Sequence, residues 1–329
     1  MTDAAPPPPA SIGIDVGGHG VKAALIAADG AVLDFQRLDI DSLGERAVEA
    51  VEERIERLVA DLRQAAADLG CDDALPIGVG VPGFFDRKQG LLRSSPNLPD
   101  WQDVPVAKRL SERLGVAVVA ENDANCALLG EAFAGAARGL SNVVLLTLGT
   151  GVGSGLLVEG RLVRGANGAA GEGGHIPLYA GGRRCGDGLR GCLETYVSGP
   201  GLVKTAKEAW DEEGREGRCP AKTARDVFAA EVDAGGASAD LWASRAIERF
   251  SLDLAAGLVP FVHLLSPEAI VIGGGLSVAL PRFGPTCEEA LKKRCIPACL
   301  GRALPLRAAA LGESAGAVGA AALALGFGV

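Results

Sequence analysis

The chain has 329 residues, a length that favours two domains of ordinary size. Its 32 basic and 41 acidic residues leave a net charge of −9, the wrong sign for gripping a phosphodiester backbone or an anionic membrane surface. Hydrophobic residues at 48% and charged residues at 22% suit a soluble globular protein with a real core and exclude disorder across the whole chain. Aromatics at 4% leave few stacking platforms for single-stranded nucleic acid. The 47 glycines are about twice ordinary usage and gather at a few places.

Residues 1–10 read as a disordered Pro-rich tail without the basic start and apolar stretch of a secretory signal. Eight cysteines in a chain without such a signal point to the reducing cytoplasm. From Ser11 the pattern is strand, tight turn, strand: Ile12 and Ile14, then Gly17 and Gly18, then an apolar run from Val21 to Ile26. Asp29-Gly30 turns the chain into a third strand over 31–35. Val48, Val51, Ile55, Leu58, Leu62 and Leu69 recur at helical steps and predict a long helix that Gly70 stops. Ile77 to Val81 is a buried strand ending at Pro82-Gly83. A helix over 105–114 leads to a strand over 116–120.

The chain then reads Glu121-Asn122-Asp123-Ala124-Asn125 and enters another helix. A strand over 143–148 runs into Gly149-Thr150-Gly151-Val152-Gly153-Ser154-Gly155, followed by a hairpin at Glu159-Gly160. An irregular Gly- and Cys-rich loop covers 168–194, and the rest is mostly helical up to a strand over 269–272 that meets Gly273-Gly274-Gly275. The uncharged end, 314–329, is too short and glycine-broken for a membrane span of about 20 residues and reads as a buried helix. Strands alternating with helices predict an α/β protein. The two glycine hairpins, at 15–18 and 149–155, look like counterparts in two similar lobes.

Three G-x-G-x-x-G matches begin at Gly78, Gly186 and, loosely, Gly149, but none has the strand, helix and downstream acid of a dinucleotide fingerprint. There is no G-x-x-x-x-G-K-[ST] either. Asp15-Val16-Gly17-Gly18 is a plain hairpin turn or a phosphate clamp, in which backbone amides approach phosphates and Asp15 orients a hydrated Mg²⁺. Asp123 is a helix N-cap or a general base at the open end of a strand, where α/β sheets bind ligands. His175, Cys185, Asp187 and Cys192 are a tetrahedral metal set or an ordinary reduced loop. Gly273, Gly274 and Gly275 are a packing turn or a surface for adenine or ribose.

Taken together these segments resemble the ROK family of sugar kinases and sugar-responsive repressors, within the actin-like ATPase superfamily. The resemblance runs from Ile12 to the C-terminal helix. Asp15 to Gly18 is similar to the family's first phosphate motif, with His19 where Thr or Ser is usual, and Thr147 to Gly153 to its second. Glu121 to Asn125 resembles the catalytic segment and Gly171 to His175 the sugar-contacting segment. Cys185 to Glu194 resembles the C-x-C-G-x-x-G-C-x-E zinc signature, with Asp187 in place of its middle cysteine. The repressors carry a helix-turn-helix before the first motif, and the ten residues ahead of Ser11 leave no room for one, so the kinase branch is expected.

The resemblance implies a two-lobed actin-like ATPase (ribonuclease H-like) fold with nucleotide and sugar in the cleft between lobes. A small lobe over 11–120, joined by a helix at about 313–329, and a large lobe over 121–312 with the loop 168–194 are expected. It implies a glucokinase-type reaction, from ATP with Mg²⁺ to the 6-hydroxyl of glucose, with Asp123 as base. Gly83, Asn97, Asn122, Asp123, Glu172, His175 and Glu194 would bind sugar. Asp15, Gly17, Gly18, Lys22, Thr150, Gly151, Gly273, Gly274 and Gly275 would bind the nucleotide. His175, Cys185, Asp187 and Cys192 would hold Zn²⁺, less tightly than a three-cysteine site because a carboxylate is a harder ligand. A homodimer is implied, with neither nucleic acid nor membrane as partner. The alternatives are another hexose (an N-acylhexosamine, mannose or fructose), polyphosphate as donor, a sugar sensor without turnover, and an actin-like ATPase acting on proteins.

Overall fold

The computed structural model describes residues 7–71, 74–95, 98–233, 241–301 and 304–329. In chain order the elements are β1 (Pro9–Gly17), β2 (Gly20–Ala27), β3 (Val32–Asp39), α1 (Val48–Asp68), β4 (Ile77–Val81), β5 (Phe84–Asp86), β6 (Leu91–Ser94), α2 (Val106–Leu114), β7 (Val118–Asn122) and α3 (Asp123–Ala134). There follow β8 (Val143–Leu148), β9 (Val152–Val158), β10 (Arg161–Leu162), α4 (Glu194–Val197), α5 (Gly199–Glu212), α6 (Ala224–Asp233) and α7 (Leu241–Leu265). The last are β11 (Ala269–Gly273), α8 (Leu280–Arg294), β12 (Leu306–Ala308) and α9 (Ala315–Ala324). The chain divides into two compact units. One comprises Met1–Ser141, Gly155–Gly171 and Ala310–Val329; the other comprises Asn142–Ser154 and Glu172–Ala309.

The first unit is built on a sheet of order β3-β2-β1-β4-β7, in which β1 pairs antiparallel with β2 and parallel with β4. Side chains alternate faces along a strand, and the two faces bury different partners. Ile12, Ile14, Val16, Val21, Ala23 and Leu25 share a core with Val51, Ile55, Leu58 and Leu62 of α1. The opposite face, with Ala24 and Ile26, receives Ala317, Val318 and Ala321 of α9. Helix α9 carries almost only glycine and alanine, because its backbone lies directly on its neighbours. A Cβ on Gly13 would stand 1.8 Å from the Ala317 carbonyl oxygen, and one on Gly78 the same distance from that of Ala320. On the α3 side, a Cβ on Gly319 would stand 1.7 Å from the Cys126 carbonyl oxygen. No side chain fits there, and interior packing leaves no slack to make room.

In the second unit β8, β11 and β12 run parallel, and α7 packs against α5 and α8. The Phe250 and Phe283 rings meet edge to face at 5.1 Å. The chain repeats itself: β8, β9 and β10 follow one another through short turns as β1, β2 and β3 do. Each set leads with a strand that has a parallel neighbour, β4 beside β1 and β11 beside β8.

Several boundaries differ from expectation. β1 starts at Pro9, which pairs with Ala27, so residues 9 and 10 of the tail belong to the sheet; residues 1–6 lie outside the described residues. β7 covers 118–122 instead of 116–120 and carries Glu121 and Asn122 to its end. The expected large lobe over 121–312 is divided: α3, which packs along α9, and residues 155–171 group with the first unit. The Asp29-Gly30 turn is as read, with a bulge: the Gly30 amide donates to the Ala27 carbonyl at 3.0 Å, and Gly30 has φ +89.

Candidate active site

In the first unit the candidate carboxylates Asp15 and Asp123 stand at the ends of β1 and β7, the two parallel strands that flank β4. Asp15, near the end of β1, is in register with Gly80 of β4 and faces Lys22 of β2, whose Nζ is 3.8 Å from Oδ2. The Asp15 side chain is 18% exposed. Burial pushes its carboxyl up to about 6; the Lys22 charge opposes this and the Asp123 charge adds to it. Space for Asp15 comes from Gly316 of α9, where a Cβ would lie 2.7 Å from the carboxyl carbon. Gly17 ends β1, and Gly18 follows in the turn to β2.

Asp123 opens α3 as its first helical residue. The cap is the preceding residue: the Asn122 Oδ1 accepts from the amides of Ala124 at 2.9 Å and Asn125 at 3.1 Å. The capping alternative for Asp123 is thereby taken by Asn122, whose Nδ2 donates to the Gly83 carbonyl at 3.2 Å. Asp123 Oδ1 accepts from the Ala124 amide at 2.9 Å, and burial, outweighing its hydrogen bonds, raises its carboxyl above the usual range. Glu121 is a buried structural hub: it accepts from Arg164 at 2.7 Å, from Arg87 at 3.2 Å and from the Asn125 side chain at 3.1 Å. Gly83 follows β4 with φ +132. Asn97 lies outside the described residues.

In the second unit the turn between β8 and β9 closes through a 3.0 Å bond from the Gly149 amide to the Gly151 carbonyl. It borders a cavity of about 820 Å³ together with Gly275 and Leu276 beyond β11. Gly273 and Gly274 are not among the lining residues; Gly274, at φ +76, lies against the Leu148 carbonyl. Opposite come groups that sequence reasoning missed. Gly199 and Pro200 start α5, capped by Ser198, and Thr223 and Ala224 start α6. Lys204, Lys207 and Lys222 complete the lining. Their signals were in the sequence: Ser-Gly-Pro-Gly at 198–201 is a helix start, and Thr223 with Asp226 forms a reciprocal cap, the Thr223 amide donating at 2.8 Å and the Asp226 amide at 3.2 Å. Two helix N-termini and three lysines around partly apolar walls suit a nucleotide.

The 168–194 loop folds on itself. His175 ends a short helical turn, held by a 2.9 Å bond from the Gly173 amide to Ser154 Oγ. One ligand atom from each of His175, Cys185, Asp187 and Cys192 lies within 4.8 Å of the others, and the His175 Nδ1 is 3.0 Å from Asp187 Oδ2. Two thiols, one imidazole and one carboxylate in that space fit tetrahedral Zn²⁺. The other ring nitrogen, Nε2, is 3.8 Å from Glu172 Oε2. The Leu189 amide holds the Asp187 carboxyl below its usual range, while burial pushes the Cys185 thiol up to about 12. Glu194 joins the loop to the glycine turn. Its Oε2 accepts from the Val152 amide at 2.9 Å and stands where a Cβ on Gly151 would be 2.5 Å away, and its Oε1 accepts from the Cys185 thiol at 3.6 Å.

Two units, each opening on a strand, a glycine turn and a second strand, make up the two-lobed actin-like ATPase fold of ROK kinases. The chain belongs to the ROK family, whose match spans residues 11–326. It is 34% identical over 319 residues to the glucokinase of Thermotoga maritima, covering 95% of this chain and 96% of that one. Among solved structures it is similar to the ROK hexokinase of Thermus thermophilus, with a TM-score of 0.77, 33% identity, and 94% and 96% of the two chains covered. It is also similar to a ROK family glucokinase from Streptomyces griseus in complex with glucose and AMPPNP. There the TM-score is 0.71 and the identity 30%, with 96% of this chain and 99% of that one covered.

Proposed function

We propose that the chain is a glucokinase-type hexose kinase that moves the γ-phosphoryl of ATP to the 6-hydroxyl of glucose. The observation that carries this reading is Asp123, a half-buried carboxylate beside the open end of β7 whose helix-capping duty Asn122 takes and whose carboxyl burial raises above its usual range. Identities of 34% and 30% to two glucokinases over nearly the whole chain support the sugar class. Asp123 takes the proton of the 6-hydroxyl, whose oxygen forms the new bond to γ-phosphorus while the bridging bond to the β-phosphate breaks and ADP leaves. The family resemblance assigns Glu172, His175, Glu194, Asn122, Gly83 and Asn97 to the sugar. Gly17, Gly18, Lys22, Thr150 and Gly151 hold the phosphates, and Gly273 to Gly275 back the nucleoside. Asp15 orients Mg²⁺, which supplies charge neutralisation at the phosphates when bound.

His175 through Nδ1, Cys185, Asp187 and Cys192 would hold Zn²⁺, which leaves Nε2 with Glu172 for a sugar hydroxyl. One zinc per chain is expected by elemental analysis. Its removal by a chelator should lower Tm by roughly 5 °C. Asp187→Cys should slow that removal; a wild type that purifies without zinc and ignores added zinc overturns the site. No helix among the described residues is long and apolar enough to cross a membrane. The homodimer rests on the family resemblance alone.

The test is ADP release with Mg-ATP across glucose, mannose, fructose and N-acetylglucosamine, with polyphosphate as a second donor. Glucose with ATP is expected to give the highest kcat/KM. A better rate with another hexose, or with polyphosphate, reassigns substrate or donor. Silence across the panel with sugar still raising Tm makes the chain a sensor.

A further inference from the structure

The carboxylate of Glu121 holds the chain on both sides of Asp123. Its Oε1 accepts from the Asn122 amide at 3.0 Å and from the Asn125 Nδ2 at 3.1 Å. Its Oε2 accepts from the Arg164 Nε at 2.7 Å and from the Arg87 Nη1 at 3.2 Å. The last torsion of a glutamate is soft, so its carboxylate keeps one direction only where both oxygens are pinned. Arg164 does most of that pinning. Its side chain is 13% exposed against 50% for Arg87, and its Nη1 also reaches the Gly328 carbonyl at 3.4 Å. One planar guanidinium thereby ties the end of β7 to the segment after β10 and to the C-terminal residues.

Stability alone does not account for this network. A buried ion pair rarely outdoes apolar packing of similar volume. Here Arg164 Nη2 and Asn125 Oδ1 also stay buried with no hydrogen-bond partner among the described residues, which costs further. What the arrangement provides is geometry: a fixed amide at Asn122, just before the candidate base, and a fixed side chain at Asn125, just beyond it.

We propose that Arg164 is a positioning residue for Asp123, acting through the Glu121 carboxylate. This rests on the reading of Asp123 as the base and deepens it. Arg164 needs no contact with substrate in this role. It sets the direction from which Asp123 meets the hydroxyl, and a misplaced base slows the chemical step more than it weakens binding.

The experiment is a double-mutant cycle of Arg164→Met and Asp123→Asn in the full-length chain. It reads kcat with Mg-ATP and the best hexose of the panel above, and thermal melts and calorimetric titration of that hexose count the intact sites. Arg164→Met should lower kcat about tenfold, leave both KM values within about threefold and leave the sugar stoichiometry unchanged. In the Asp123→Asn background the same substitution should lower kcat less than about twofold, because no base is left to misplace. Equal fold losses in the two backgrounds, or an Arg164→Met kcat within about twofold of wild type, overturn the positioning role alone. Wild-type kcat in Asp123→Asn overturns the base, and the positioning role with it. A wild type silent with every sugar overturns the kinase reading and both roles. Should Arg164→Met melt below the assay temperature, Arg164→Lys takes its place in the cycle under the same criteria. It keeps the charge, lacks the second donor and should lower kcat about fivefold.

Discussion

Replacing Asp123 with asparagine is expected to lower kcat by roughly 10³-fold while leaving glucose affinity within a few-fold and Tm within about 2 °C. An asparagine keeps an oxygen for the Ala124 amide at 2.9 Å, so the start of α3 is undisturbed and only the proton acceptor is lost. Asn122→Ala is the companion. It removes the acceptor for two amides and should cost about 1 kcal/mol of stability, visible as a lower melting temperature. If Asp123→Asn retains kcat within tenfold of wild type, Asp123 is not the base. If it melts as far below wild type as Asn122→Ala does, its role is structural.

Asp15→Asn should have the opposite signs for stability and activity. Burial raises the Asp15 carboxyl from 3.8 to about 6, so between those values the folded protein holds a proton that the unfolded chain has released. Stability from this group is present below about pH 4 and is lost as pH rises through about 6. The rise corresponds to at most about 3 kcal/mol, and loss of the Lys22 partner at 3.8 Å returns part of it. Asp15→Asn without ligands is therefore expected to be more stable than wild type by about 1 kcal/mol at pH 7.5, with no gain at pH 4. Its Mg-ATP turnover should fall by about 10² or more, since the carboxylate that meets the metal is gone. In the wild type kcat/KM should decline as pH falls below about 6, where Asp15 takes up its proton. Thermal melts at the two pH values and a pH profile check this; an Asp15→Asn protein less stable than wild type at pH 7.5 refutes the buried-charge account.

Much of the site was legible before folding. The two glycine hairpins, the Asp123 junction and the cluster of His175, Cys185, Asp187 and Cys192 lie in short windows, where turn chemistry, strand alternation and residue spacing act over a few residues. The helix α1 and its stop at Gly70 were written in the same local code, and Gly70 does take φ +81. The hairpin β5–β6 was missed because its strands are short and sit among turn residues.

Other assignments needed the folded chain. That Asn122 caps α3 and frees Asp123 is a choice between adjacent residues, each able to accept the same amides, made by where β7 ends. That Lys204 borders the large cavity follows from α5 lying beside the Gly149 turn, whose carbonyl accepts from the Gly199 amide at 2.8 Å. The seat of α9 is the largest case. Gly13 and Ala317 are far apart in the chain, and their backbones approach too closely for a side chain. Local propensity disfavours so many glycines in and around a helix. Only packing makes them necessary, because close contact of two backbones is a property of a pair of distant segments and of neither segment alone.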